Sequence, residues 1–133
     1  MTPEELLRES GTIAIVGASG KPWRPSHGVM RYLLGQGYRV IPVNPTCAGA
    51  EILGERVVAS LREIEEPIDL VDVFRRAEHT PEVAREAVAV GARALWLQLG
   101  IRSEESERIA REGGLEYVED RCTAVVHGSI ARG

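Results

Sequence analysis

The stretch Thr12-Ile13-Ala14-Ile15-Val16-Gly17-Ala18-Ser19-Gly20 constrains the fold more than any other. A run rich in β-branched apolar residues feeds directly into a turn of small residues. An amphipathic segment then begins at Ser26-His27-Gly28-Val29. Strand, glycine turn and helix in that order open a nucleotide-binding α/β unit. Glycine lets backbone N–H groups come close to a phosphate, and the helix N-terminus favours negative charge. A phosphate-bearing small molecule is the expected ligand.

The rest of the chain repeats the alternation. Strands are expected at 12–16, 38–43, 68–74, 94–99 and 115–118, and helices at 25–35, 80–91 and 103–112. A short helix starts at Thr2-Pro3-Glu4-Glu5, which has capping-box spacing with proline at the first helical position. Pro42 cannot donate to a ladder, which places it at a strand end or on an edge strand. Glu51-Ile52-Leu53-Gly54 reads as a turn with a buried leucine, and Ser60-Leu61-Arg62-Glu63 as one helical turn. From Glu119 onward no period is visible. Strands alternating with helices give an α/β fold: a Rossmann-like, doubly wound, mainly parallel five-stranded sheet with helices on both faces. Ligands of such sheets lie at the carboxyl ends of the strands, here expected near the junction of the first and fourth.

Length allows one domain, 1–133. A net charge of −4 speaks against nucleic acid as a partner. No apolar run approaches the roughly 18–20 residues of a membrane span. Met1-Thr2-Pro3-Glu4-Glu5 lacks a signal-peptide pattern, so a cytoplasmic location is expected. Cys47 and Cys122 form no CxxC pair and read as two free thiols, with no metal site implied. Only three amide side chains occur: Gln36, Asn44 and Gln98.

The loops after the strands hold the candidate binding residues. In the first, Gly17, Ala18, Ser19 and Gly20 depart from a clean GxGxxG, because Ser19 stands where the second glycine belongs. Lys21 and Arg24 bring positive charge beside the next helix start, and Ser26 and His27 open that helix. Gly17 and Gly28 equally suit tight packing of helix on strand. The second loop, Val43-Asn44-Pro45, has no acidic residue where an NAD site places its ribose-binding carboxylate. Asn44 suits either a ribose or base contact or a turn before proline. In the third loop, Phe74-Arg75-Arg76, the arginines suit a second phosphate or a 3′-phosphate, or else a solvated surface pair. In the fourth, Gln98 at a strand terminus can read an amide and Gly100 opens room, although both also suit a simple turn.

No catalytic group emerges. GxSxG, HExxH and P-loop motifs are absent, and His27, His79 and His127 fall in separate segments. Asp69 and Asp72 point to opposite faces of their strand and form no carboxylate pair.

Several segments together resemble a known family. Ile15-Val16-Gly17-Ala18-Ser19, the run from Arg24 to Leu33, and Gly37-Tyr38-Arg39-Val40-Ile41-Pro42-Val43-Asn44-Pro45 are similar to the small stand-alone CoA-binding proteins of bacteria. Glu51-Ile52-Leu53-Gly54, Val71-Asp72-Val73-Phe74-Arg75-Arg76, Trp96-Leu97-Gln98-Leu99-Gly100-Ile101 and Asp120-Arg121-Cys122 extend the match over nearly the whole chain. That family in turn resembles the N-terminal CoA-binding domain of the succinyl-CoA synthetase α subunit. The resemblance implies coenzyme A or an acyl-CoA held across the strand ends by the glycine loop, the Asn-Pro turn and the loop after the third strand. The synthetase's phosphohistidine belongs to a second domain outside these residues, so phosphoryl transfer is not carried over. The expected function is CoA binding without catalysis; the alternative is an NADP-binding redox or sensing protein, with Arg75 and Arg76 serving the 2′-phosphate. Protein partners are not legible.

Overall fold

The apolar run found in the sequence is the hub of the sheet. In a computed structural model, which describes residues 1–132, the elements are α1 (Pro3–Glu9), β1 (Thr12–Val16), α2 (Pro25–Gly35), β2 (Arg39–Val43), β3 (Glu51–Ile52), β4 (Glu55–Arg56), β5 (Leu70–Val73), α3 (Thr80–Ala89), β6 (Ala94–Leu97), α4 (Glu104–Glu112), β7 (Glu116–Val118) and α5 (Thr123–Arg132). β1 pairs in parallel on both sides, so that Ile15 lies opposite Pro42 of β2 and opposite Asp72 of β5. The full order is β2-β1-β5-β6-β7, all parallel. Alternation along β1 turns Ile13 and Ile15 to one face and Ala14 and Val16 to the other. The first face packs with Leu6 and Leu7 of α1, Met30 and Leu33 of α2 and Val126 of α5. The second packs against Ala84 and Ala87 of α3 and Ala110 of α4, where small side chains let the helices lie close to the sheet. The doubly wound α/β architecture is the one expected.

Local chemistry explains the helix starts. Thr2 accepts from the Glu5 N–H while the Glu5 carboxylate accepts from the Thr2 N–H, a complete capping box. Ser103 caps α4 through the Ser106 N–H. Pro42 lies in the edge strand β2, where its missing donor does little harm.

Three expectations need correction. The sheet order reverses between β1 and β5, the third strand of the sheet, not the fourth. The segment after β2 folds as the β3–β4 hairpin and meets β2 through a parallel bridge from Val58 to Val43 and an ion pair from Glu55 to Arg39. In the hairpin the buried residue is Ile52, whereas Leu53 sits exposed at the tip with φ of 50°. Finally, the stretch after Glu119 contains α5. Its start is held by distant groups: the Trp96 indole donates to the Arg121 carbonyl at 2.7 Å, and Thr123 bonds to Asp72 at 2.9 Å.

Candidate ligand cleft at the strand ends

The loop from β1 to α2 is wired from within. The Gly17 N–H donates to the Val43 carbonyl, the Ser19 N–H to Ser26 Oγ, the Lys21 N–H to Ser19 Oγ, and the Arg24 N–H to the Lys21 carbonyl. These bonds shape a cleft of about 600 Å³ at the carboxyl end of β1. Of the residues singled out in the sequence, Gly17, Ala18, Ser19, Gly20, Lys21, Arg24, Ser26, Asn44 and Phe74 line it. Pro25, Thr46 and Cys47 line it too and were not foreseen. The readable signal for the latter two is the Asn-Pro-Thr spacing. Asn44 Oδ1 accepts from the Thr46 N–H at 2.9 Å and caps a 3₁₀ turn, Pro45–Cys47, that brings both residues to the cleft.

The electrostatics of this cleft differ from the rest of the surface. Many arginines elsewhere are matched, as Arg39 is with Glu55 and Glu66, Arg85 with Glu105 and Arg102 with Asp120, although Arg8, Arg31, Arg56, Arg75 and Arg76 have no such partner among the described residues. Lys21 and Arg24 have no ion-pair partner among the described residues. No carboxylate lines the cleft. The first turns of α1, α3 and α4 carry glutamates, whereas those of α2 and α5 carry no acid, and the α2 N-cap residue, Arg24, makes no side-chain cap. In a chain of net charge −4, this leaves two cations and an open helix N-terminus around one cavity. That combination receives anions.

The two glycines of the loop differ. Gly17 has φ of +88°, and a Cβ there would lie 3.1 Å from the Phe74 carbonyl oxygen. The fold itself therefore demands glycine. Gly20 has no such constraint, since a Cβ would meet only Ile52 Cγ1 at 3.8 Å.

A smaller cavity adjoins the cleft through shared residues, and a second adjoins that one in turn. The first, about 220 Å³, is lined by Val43, Pro45 and Arg75 together with Gly17 and Asn44. The next, about 310 Å³, shares Val43, Pro45 and Arg75 and adds Ser60, Glu82 and Glu86. Four candidates are not brought to these cavities. His27 is buried in α2, and Arg76 is exposed at the start of a 3₁₀ turn. Gly100 uses its N–H on Asp120 Oδ1 at 2.7 Å. Gln98 is buried, its amide donating to Asp72 Oδ1 and to Thr123 Oγ1.

That last contact belongs to a sealed cluster. Asp72, Gln98 and Thr123 are all buried, and Thr123 in turn donates to Asp72 Oδ2. Burial pushes the Asp72 carboxyl up to about 7, while the bonds from Gln98 and Thr123 pull the other way. Asp69, on the opposite face, instead accepts from the N–H groups of Gly11 and Thr12.

Sheet order and cleft together define a Rossmann-like α/β domain whose main cleft lies where the strand order reverses. The chain belongs to the CoA binding domain family, whose model matches residues 11–128. It is 44% identical over 124 residues to YneT of Bacillus subtilis (strain 168), covering 93% of this chain and 90% of that protein. A solved structure from Thermus thermophilus superposes with a TM-score of 0.92 at 44% identity, covering 98% of this chain and 99% of the other. A hypothetical protein from Pyrococcus horikoshii OT3 gives 0.92 at 36% identity over 98% and 93%. More distant is the alpha subunit of an ADP-forming acetate–CoA ligase from Pyrococcus furiosus, 27% identical over 137 residues; the match spans 92% of this chain but 30% of that subunit. The likeness to CoA-binding domains read from the residues is borne out. No helix among the described residues is long and apolar enough to cross a membrane.

Proposed function

We propose that this chain binds coenzyme A or an acyl-CoA in the cleft, with the diphosphate against Lys21, Arg24, the Ser26 hydroxyl and the N-terminus of α2. One observation carries the reading: in an acidic protein, the cavity at the sheet's reversal point is lined by two unpaired cations and no carboxylate. Membership of the CoA binding domain family selects CoA among phosphate ligands. Arg75 lines the cavity that adjoins the cleft at Gly17, Asn44 and Thr46, and suits a further phosphate. NADP is less favoured, because Asn44 spends its amide on the Ala18 carbonyl and its oxygen on Thr46, leaving no ribose reader at the end of β2. Binding without turnover fits the lining, which offers Ser19, Ser26, Thr46 and Cys47 but neither histidine nor carboxylate to activate them.

Thermal unfolding in the presence of CoA, NAD or NADP tests this. At about 100 times its dissociation constant, CoA should add about 2.7 kcal/mol of stability. Arg24→Ala and Lys21→Ala should each weaken CoA about tenfold while leaving the unliganded melting temperature unchanged. Greater stabilisation by NADP than by CoA reassigns the cleft.

A further inference from the structure

Trp23 is the most exposed of the large apolar side chains among the described residues, at 75%. It is not on a loose tip. Pro22 restricts the preceding φ, and the Arg24 N–H donates to the Lys21 carbonyl at 3.0 Å across the indole's own turn. The Arg24 carbonyl then accepts from the His27 N–H at 3.0 Å, joining the turn to α2. Lys21 and Arg24, on either side of Trp23, both line the cleft. One short turn thus carries the two cations of the cleft and a solvent-facing indole.

A nucleotide brings a base as well as phosphates, and a base is recognised by its edge or by its face. Bidentate reading of an adenine edge by a side chain uses Asn or Gln, and this chain has three such amides. Asn44 has both ends committed, to the Ala18 carbonyl and to Thr46. Gln98 is sealed with Asp72 and Thr123. Gln36 lies at the far end of α2, as its C-cap. No side-chain amide remains for a base edge, whereas stacking on an aromatic ring needs only the base's face.

Resting on the CoA reading above, we propose that Trp23 is the platform on which the ligand's adenine ring stacks. Base discrimination is then weak, and adenosine adds affinity through its face and not through hydrogen bonds.

Calorimetric titration of wild-type, Trp23→Ala and Trp23→Phe protein separates this from the CoA reading. Trp23→Ala should weaken CoA about tenfold, and Trp23→Phe should lose less than about threefold. The ligand 4′-phosphopantetheine has the thiol arm and a phosphate but no base, and should bind wild type and Trp23→Ala alike. Saturating CoA should quench wild-type indole fluorescence while phosphopantetheine does not; the second tryptophan, Trp96, is fully buried. Unchanged CoA affinity in Trp23→Ala, with wild type binding CoA, overturns the platform and leaves the CoA reading standing. An equal loss for CoA and phosphopantetheine also overturns it, by making Trp23 a support of the loop. Failure of wild type to bind CoA overturns the CoA reading and the platform together.

Discussion

Two groups of polar side chains occupy the carboxyl end of this one sheet, and they are built on opposite terms. At the end of β1, Lys21 and Arg24 face an open cleft with no protein counter-ion. Where β5 and β6 meet α5, Asp72, Gln98 and Thr123 are buried and bond only to one another. The strand-end rule for α/β ligands marks both positions equally. What separates them is commitment: the second group is buried and spends its donors within itself, and its bonds hold a helix to the sheet instead.

The largest expected effect tests the sealed side. Gln98→Leu leaves the Asp72 carboxylate buried with one partner fewer, and should cost about 3 kcal/mol in chemical denaturation at pH 8. At pH 5, where Asp72 is protonated, the loss should be smaller. A pH-independent cost would mean that Gln98 matters for packing alone.

Next in size is the pH dependence of stability. Asp72 is held at about 7 in the folded chain against an ordinary 3.8. Between those values the folded state keeps a proton that the unfolded chain has released, so this group's contribution falls as pH rises and levels off above about 7. Asp72→Asn keeps the shape and removes the titration. The variant should gain stability relative to wild type as pH rises from 4 to 8, nearly all of it below pH 7. Parallel stability curves for the two proteins would place Asp72 in contact with water after all.

The smallest effect sharpens the open side. Arg75 lines the cavities beside the cleft and its neighbour Arg76 does not. Arg75→Ala should weaken CoA about fivefold and Arg76→Ala should leave it unchanged. Equal affinities for the two variants would remove Arg75 from the site.

The sequence displayed what depends on near neighbours. The apolar run 12–16, the capping box at Thr2 and Glu5, and the serine cap at Ser103 all act within a few residues, and each forms as read. The glycine loop was legible for the same reason. Legibility failed where a residue's partner is remote. Gln98 reads as a ligand contact until Asp72, 26 positions away, and Thr123, 25 positions away, are seen beside it. Similarly, α5 follows no strong local pattern: Val125 is 71% exposed and Gly128 interrupts the apolar residues. It is placed by Thr123, Trp96 and the buried Val126, none of which announces a helix from its immediate surroundings.

The bridge between Val43 and Val58 has a consequence for the molecule's behaviour in a crowded solution. A parallel sheet ends in two rims whose backbone groups invite pairing with another chain. Along β2 one position is a proline without a donor, and the neighbouring groups are taken: the Val58 N–H donates to the Pro42 carbonyl, and the Asn44 N–H to the Val58 carbonyl. Along β7 the rim is three residues long and begins with Glu116, paired to the amino terminus of Met1. Neither rim offers a flat ladder to a second copy, so this small sheet carries its own protection against edge-to-edge aggregation.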